Sequence, residues 1–91
     1  MTDYVFELFI AGNDLLGKRA IKNIKLFCEN TFQDNYTLDI IDIEIKQELA
    51  GKYRISAIPT LIKKKPLPEM RILGDLTETD QLTMELNLDL D

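Results

Sequence analysis

Apolar and polar positions along the chain change period several times, and each change marks an element. Residues 4–10, YVFELFI, are rich in aromatic and β-branched side chains and read as a central strand. AGND follows with turn chemistry. From Gly17 to about Thr31, Ala20, Ile21, Ile24, Phe27 and Cys28 return at helical spacing. Lys18, Lys22, Lys25 and Glu29 fall elsewhere on the wheel, which predicts an amphipathic helix. LDIIDI, from Leu38 to Ile43, is near-continuously apolar, as a strand beside a parallel neighbour would be. Strand, helix and strand in this order form a right-handed crossover.

Further along, KQELAGKYRI has a moderate helical preference that Gly51 weakens. TLIKKK and MRILG read as two short strands, parted by Pro66 and Pro68, which cannot donate to a ladder. DLTETDQ carries helix-start chemistry, with Asp75 or Thr77 as cap and Glu78 or Asp80 three residues on. The predicted order is β-α-β-α-β-β-α, a single α/β domain over residues 1–91. The tail QLTMELNLDLD fits two periods at once. Leu82, Met84, Leu86, Leu88 and Leu90 alternate as in a strand, yet Leu82, Leu86 and Leu90 also share one helical face. Conflicting preferences of this kind are what a chain with two near-degenerate packings needs.

Composition narrows the function. With 45% hydrophobic and 30% charged residues, the chain has the make-up of a globular domain. Its formal net charge of −5 argues against general nucleic-acid binding. The charge is uneven: Lys52, Arg54, Lys63, Lys64, Lys65 and Arg71 face only Glu69, whereas everything charged from Gly74 onward is acidic. The basic segment suits an acidic partner surface or a plain solvated face. The chain has no histidine, which excludes imidazole bases and His-ligated metal, and neither metal nor cofactor is expected. A lone Cys28 on the apolar helix face reads as a packing thiol. No basic leader and no run of ~20 apolar residues is present, so the expectation is a cytoplasmic protein without membrane contact.

Two motifs invite stronger readings. GNDLLGKR (Gly12 to Arg19) nearly matches a phosphate-binding loop, but Arg19 stands where a hydroxyl must ligate Mg²⁺. ISAIPTL (Ile55 to Leu61) resembles the cis-proline segment of thioredoxins, which makes Pro59 a candidate cis-proline. The C-x-x-C pair of a redox-active thioredoxin is replaced by AGNDLLGK, so dithiol exchange lacks both sulfurs.

Together FIAGN, KRAIKNIK, IIDI, ELA, ISAIPTL, PLP and RILGDLT, in this order, resemble the KaiB family of circadian-clock proteins from about Tyr4 to Leu90. Lys46 and Gln47 replace a usual Asn-Pro, and Leu15, Leu16 and Gly17 replace a commoner Pro-x-Ser. The resemblance implies a thioredoxin-like, partner-binding state and a rearranged ground state β-α-β-β-α-α-β, with a homo-oligomer (tetramer or dimer) at rest. It implies a non-enzymatic protein that docks on a KaiC-type ATPase ring and modulates its phosphorylation. Where KaiA or a SasA-type kinase is present, the docked form would sequester the first or displace the second. Arg19, Arg54 and Lys63 map to basic partner-binding positions, with Arg71 beside them. Gly74 and Asp75 match positions that bias the two folds: glycine allows positive φ at a strand exit, and Asp75 can cap a helix. Two alternatives stay open. One is a KaiC-independent thioredoxin-like redox or stress module. The other is a KaiB-like sensor partner of a SasA-type histidine kinase.

Overall fold

β1 (Tyr4–Ile10) lies inside a four-stranded sheet, and its alternation decides what each face buries. The computed structural model describes residues 3–76 and Leu82. After β1 come α1 (Leu15–Phe32), β2 (Tyr36–Asp42), α2 (Gln47–Lys52), β3 (Thr60–Lys65) and β4 (Met70–Leu73). The strand order is β2-β1-β3-β4. β1 and β2 are parallel, whereas β3 is antiparallel to both β1 and β4.

The sheet is covered on both sides. Phe6, Leu8 and Ile10 of β1 join Leu61 and Ile72 beneath α1, whose Ala20, Ile24, Phe27, Cys28 and Phe32 complete the main core. Phe9, Ile41 and Ile62 point the other way and collect Leu49, Tyr53, Ile55 and Ile58 from α2 and the loop after it. Each fully buried large apolar side chain stabilises the fold by roughly 1.5–3 kcal/mol, so the α1 side carries most of the stability. Gly17 brings α1 onto β1: a Cβ there would lie 3.2 Å from both Cβ and Cγ2 of Ile10.

Two boundaries differ from the sequence reading. α1 begins at Leu15, not Gly17, because Lys18 N already donates to Asp14 O at 3.1 Å and Leu15 and Leu16 are good helix formers. β2 begins at Tyr36, not Leu38, because its parallel register pairs Tyr4 with Tyr36 and continues to Ile10 with Asp42. The expected parallel neighbour of LDIIDI is β1, the one strand paired with β2 among the described residues. β2 is an edge strand, and Ile40 is 36% exposed. The expected closing helix and the two-period tail lie outside the described residues, apart from Leu82, which is buried in the α1-side core.

Candidate partner-binding surface

α2 ends at Lys52, and the two residues after it set the site. Tyr53 carries the helix on with φ −96°, while Arg54 turns into the left-handed region at φ +54°. A non-glycine residue there costs about 1–2 kcal/mol, and the turn brings the chain back toward β3. The Tyr53 ring packs on Phe9 with centroids 5.6 Å apart and belongs to the α2-side cluster. Two ammonium groups converge on it: Lys64 Nζ at 4.7 Å and Lys52 Nζ at 5.6 Å from the ring centroid. Lys64 also approaches Glu69 Oε1 at 3.8 Å. Arg71 is in register with Ile62, so it projects on the same side, and its Nη1 donates to Arg54 O at 3.4 Å. Lys52, Arg54, Lys64 and Arg71 thus form one basic surface on the α2 side. Their summed field favours anionic groups despite the chain's negative total.

The candidate residues separate. Arg54 and Arg71 come together and are exposed. Arg19 lies on α1, across the sheet, with its guanidinium 4.0 Å from Asp75 Oδ2. Lys63, expected among the partner-binding cations, is instead 1% exposed. It pairs with Phe6 and Met70, which places it on the α1 side of β3, and burial lowers its pKa. The reason is strand geometry: Lys63 and Lys64 point to opposite faces, and only Lys64 reaches the α2 side. Sequence reasoning counted Lys52 and Lys64 in the basic segment but singled out Lys63 for the site, and it passed over Tyr53. The KYR tripeptide closing a short helix and the KKK run of β3 were the available signals.

The Ile58–Pro59 peptide is cis, and Thr60 Oγ1 donates to Ala57 O at 2.6 Å to close that loop. Gly74 N donates to Pro59 O at 3.0 Å, which ties the exit of β4 to the proline. Gly74 has φ +110°, a conformation open to glycine and strained for other residues. Asp75 is held from α1 as well, since Asn23 Nδ2 donates to its carbonyl oxygen at 2.8 Å.

The remaining chemistry is quiet. Cys28 is fully buried, and desolvation pushes its thiol pKa up to about 12. At the near-match to a phosphate loop, Gly12 N donates to Asp42 Oδ1 at 2.9 Å, and the Glu44 carboxylate sits against the glycine. Two carboxylates at that turn repel a phosphate. A depression lined by Lys25, Glu29, Gln33, Asp34, Tyr36 and Leu38 opens between α1 and β2, remote from the basic surface. No group of three metal-ligating side chains forms among the described residues. No helix among them is long and apolar enough to cross a membrane.

A mixed sheet flanked by helices on both faces, with a cis-proline loop entering β3 and no dithiol after β1, defines a thioredoxin-like scaffold. Solved structures agree on the fold. The N-terminal domain of Synechococcus elongatus SasA superposes with a TM-score of 0.77 at 21% identity, covering 100% of this chain and 90% of that one. Mitochondrial thioredoxin 3 from Saccharomyces cerevisiae gives 0.73 at 15% identity, covering 96% and 79%.

Within that scaffold the family is specific. The KaiB domain profile matches residues 7–88. The circadian clock oscillator protein KaiB of Synechococcus elongatus is 40% identical over 85 residues, which is 93% of this chain and 83% of that protein. The circadian clock protein KaiB3 of Synechocystis is 35% identical over 88 residues, covering 97% and 86%. The chain belongs to the KaiB family.

Proposed function

We propose that this protein is a non-enzymatic regulator that docks on a KaiC-type ATPase ring and adjusts the ring's phosphorylation state. One observation carries the reading. The exposed Arg54 and Arg71 are joined through the Arg71 Nη1 to Arg54 O hydrogen bond in a basic surface that faces away from α1. Guanidinium groups so placed suit bidentate pairing with partner carboxylates. Arg19, on the opposite side of the sheet, belongs to the contacts that hold the β4 exit rather than to this surface. Where KaiA or a SasA-type kinase is present, the docked protein sequesters the first or displaces the second.

The binding state described by these contacts exchanges, in this reading, with the rearranged packing β-α-β-β-α-α-β of a resting homo-oligomer. Support comes from the segment where the two packings diverge. Leu76 has φ +64°, and a non-glycine residue there stores about 1–3 kcal/mol of strain. That strain is offset by burial of Leu76 and by the Asn23 and Arg19 contacts to Asp75. A difference of about 1.4 kcal/mol changes the population ratio tenfold, so contacts of this size suffice to set the resting state.

Capture of the protein by the host's immobilised KaiC-type ring, across nucleotide states, tests the assignment. Arg54→Glu and Arg71→Glu are each expected to weaken capture at least tenfold, because removing one partner of a hydrogen-bonded charge pair that docking buries costs about 2–5 kcal/mol. No capture of the unaltered protein in any nucleotide state overturns the reading. If the host's SasA-type kinase captures the protein and the ring does not, the sensor role replaces it. The redox alternative depends on Cys28, whose burial and raised pKa leave little thiolate to react.

A further inference from the structure

Resting on the reading that the α2-side surface receives acidic groups of a KaiC-type ring, we infer that Tyr53 is a specificity-determining residue. It gathers Lys52 and Lys64 into one clamp for a pair of partner carboxylates. The two lysines come from different elements, the end of α2 and a position one residue before the end of β3. What they share is the ring: Nζ of Lys64 stands 4.7 Å and Nζ of Lys52 5.6 Å from its centroid, both inside cation–π range. Two ammonium groups drawn to one site repel each other, and the negative face of the aromatic ring offsets that repulsion. An exposed lysine otherwise samples many rotamers that binding must freeze. Here the ring narrows them before the partner arrives, which is preorganisation in the ordinary sense.

Tyr53 is able to hold them because it is itself held. Its ring packs on Phe9 and sits in the cluster of Ile41, Ile62 and Leu49. Arg54, Arg71 and Glu7, the last in register with Ile62, share this face of the sheet, and Glu69 approaches Lys64. Glu69 stands 3.8 Å from Lys64 Nζ and is half-exposed, so it occupies the place of a partner carboxylate until one arrives. The clamp therefore prefers a surface with two carboxylates spaced to meet both lysines, and a single carboxylate must compete with Glu69 for its cation.

The test measures the affinity of the full chain for the host's KaiC-type ring over a series of salt concentrations. Tyr53→Leu keeps an apolar side chain on Phe9 but removes the ring; it is expected to weaken binding about threefold to tenfold and to flatten the salt dependence. Tyr53→Phe keeps the ring and is expected to bind as the unaltered protein does. Lys52→Gln with Lys64→Gln is expected to lose at least as much as Tyr53→Leu, and adding Tyr53→Leu to that pair is expected to cost nothing more. Glu69→Gln is expected to tighten binding. Circular dichroism and a urea midpoint check each variant's fold; if Tyr53→Leu does not fold, the lysine pair and Tyr53→Phe still decide the matter. Tyr53→Leu binding as tightly as the unaltered protein, or Tyr53→Phe losing as much as Tyr53→Leu, overturns the clamp while leaving the ring as partner. Failure of the unaltered protein to bind the ring overturns the function on which the clamp rests. Equal affinity of the unaltered protein for anionic lipid vesicles and for the ring overturns its specificity for carboxylates.

Discussion

Glu7 and Asp39 stand directly opposite each other on the parallel strands β1 and β2, and one perturbation there tests the electrostatics of the α2-side face. Glu7 Oε1 is buried without a hydrogen-bond partner among the described residues, while Asp39 is exposed. Side chains paired across neighbouring strands have Cβ atoms about 5 Å apart. At that spacing two like charges repel by about 0.8 kcal/mol in water and about 3 kcal/mol at an effective dielectric of 20. One partner is solvated and salt screens the pair over about 10 Å, so the lower value governs. Asp39→Asn removes the repulsion with almost no change of shape and is expected to stabilise the protein by about 0.5–1 kcal/mol.

Urea unfolding reads this directly. With a slope of about 1 kcal/mol per molar, the midpoint should rise by roughly 0.5–1 M at low salt. The gain should shrink as salt is added, because the unaltered protein is then already relieved. A double-mutant cycle with Glu7→Gln isolates the pair: either single change relieves the repulsion, and the double change relieves it only once. A coupling energy indistinguishable from zero, or an Asp39→Asn midpoint at or below that of the unaltered protein, refutes the reasoning.

Two further outcomes follow from buried titratable groups. Cys28 ionises near pH 9.0 when unfolded and only at about 12 when folded, so its contribution is complete below pH 9 and is lost between those values. Stability should fall there by up to about 1.4 kcal/mol per pH unit, and Cys28→Ala should remove that part of the slope in urea titrations at stepped pH. Lys63 has a folded pKa below its ordinary 10.5, so its charged form opposes folding at neutral pH, and that penalty lifts as pH rises through the lowered value toward 10.5. Lys63→Met should raise the urea midpoint at pH 7 and flatten that alkaline rise; a lower midpoint would mean that the ammonium is stabilised where it lies.

Much of the architecture was legible before any tertiary structure. The order of strands and helices through β4 follows from local periodicities, because apolar residues at spacing 2 or 3.6 can be buried on one side in only one kind of element. Ala20, Ile24, Phe27 and Cys28 announced the buried face of α1, and Pro66 and Pro68 announced the break between β3 and β4. The run LDIIDI indicated a strand but not its place in the sheet. An apolar strand reads alike whether it has one neighbour or two, and β2 proved to be an edge.

The candidate surface was legible only as a charge imbalance between Lys52 and Arg71. The KKK run of β3 offers three equivalent cations to a reader of the sequence. Pairing with β1 and β4 makes them unequal: Lys63 falls beside Phe6 and Met70 and is buried, whereas Lys64 reaches Tyr53. A shift of one residue would exchange their fates, because successive side chains of a strand point to opposite faces. Composition and period therefore determined which elements form and that one stretch is basic. Register and the folding of α2 over Phe9 decided which cations share a surface, since that depends on contacts between residues far apart in the chain.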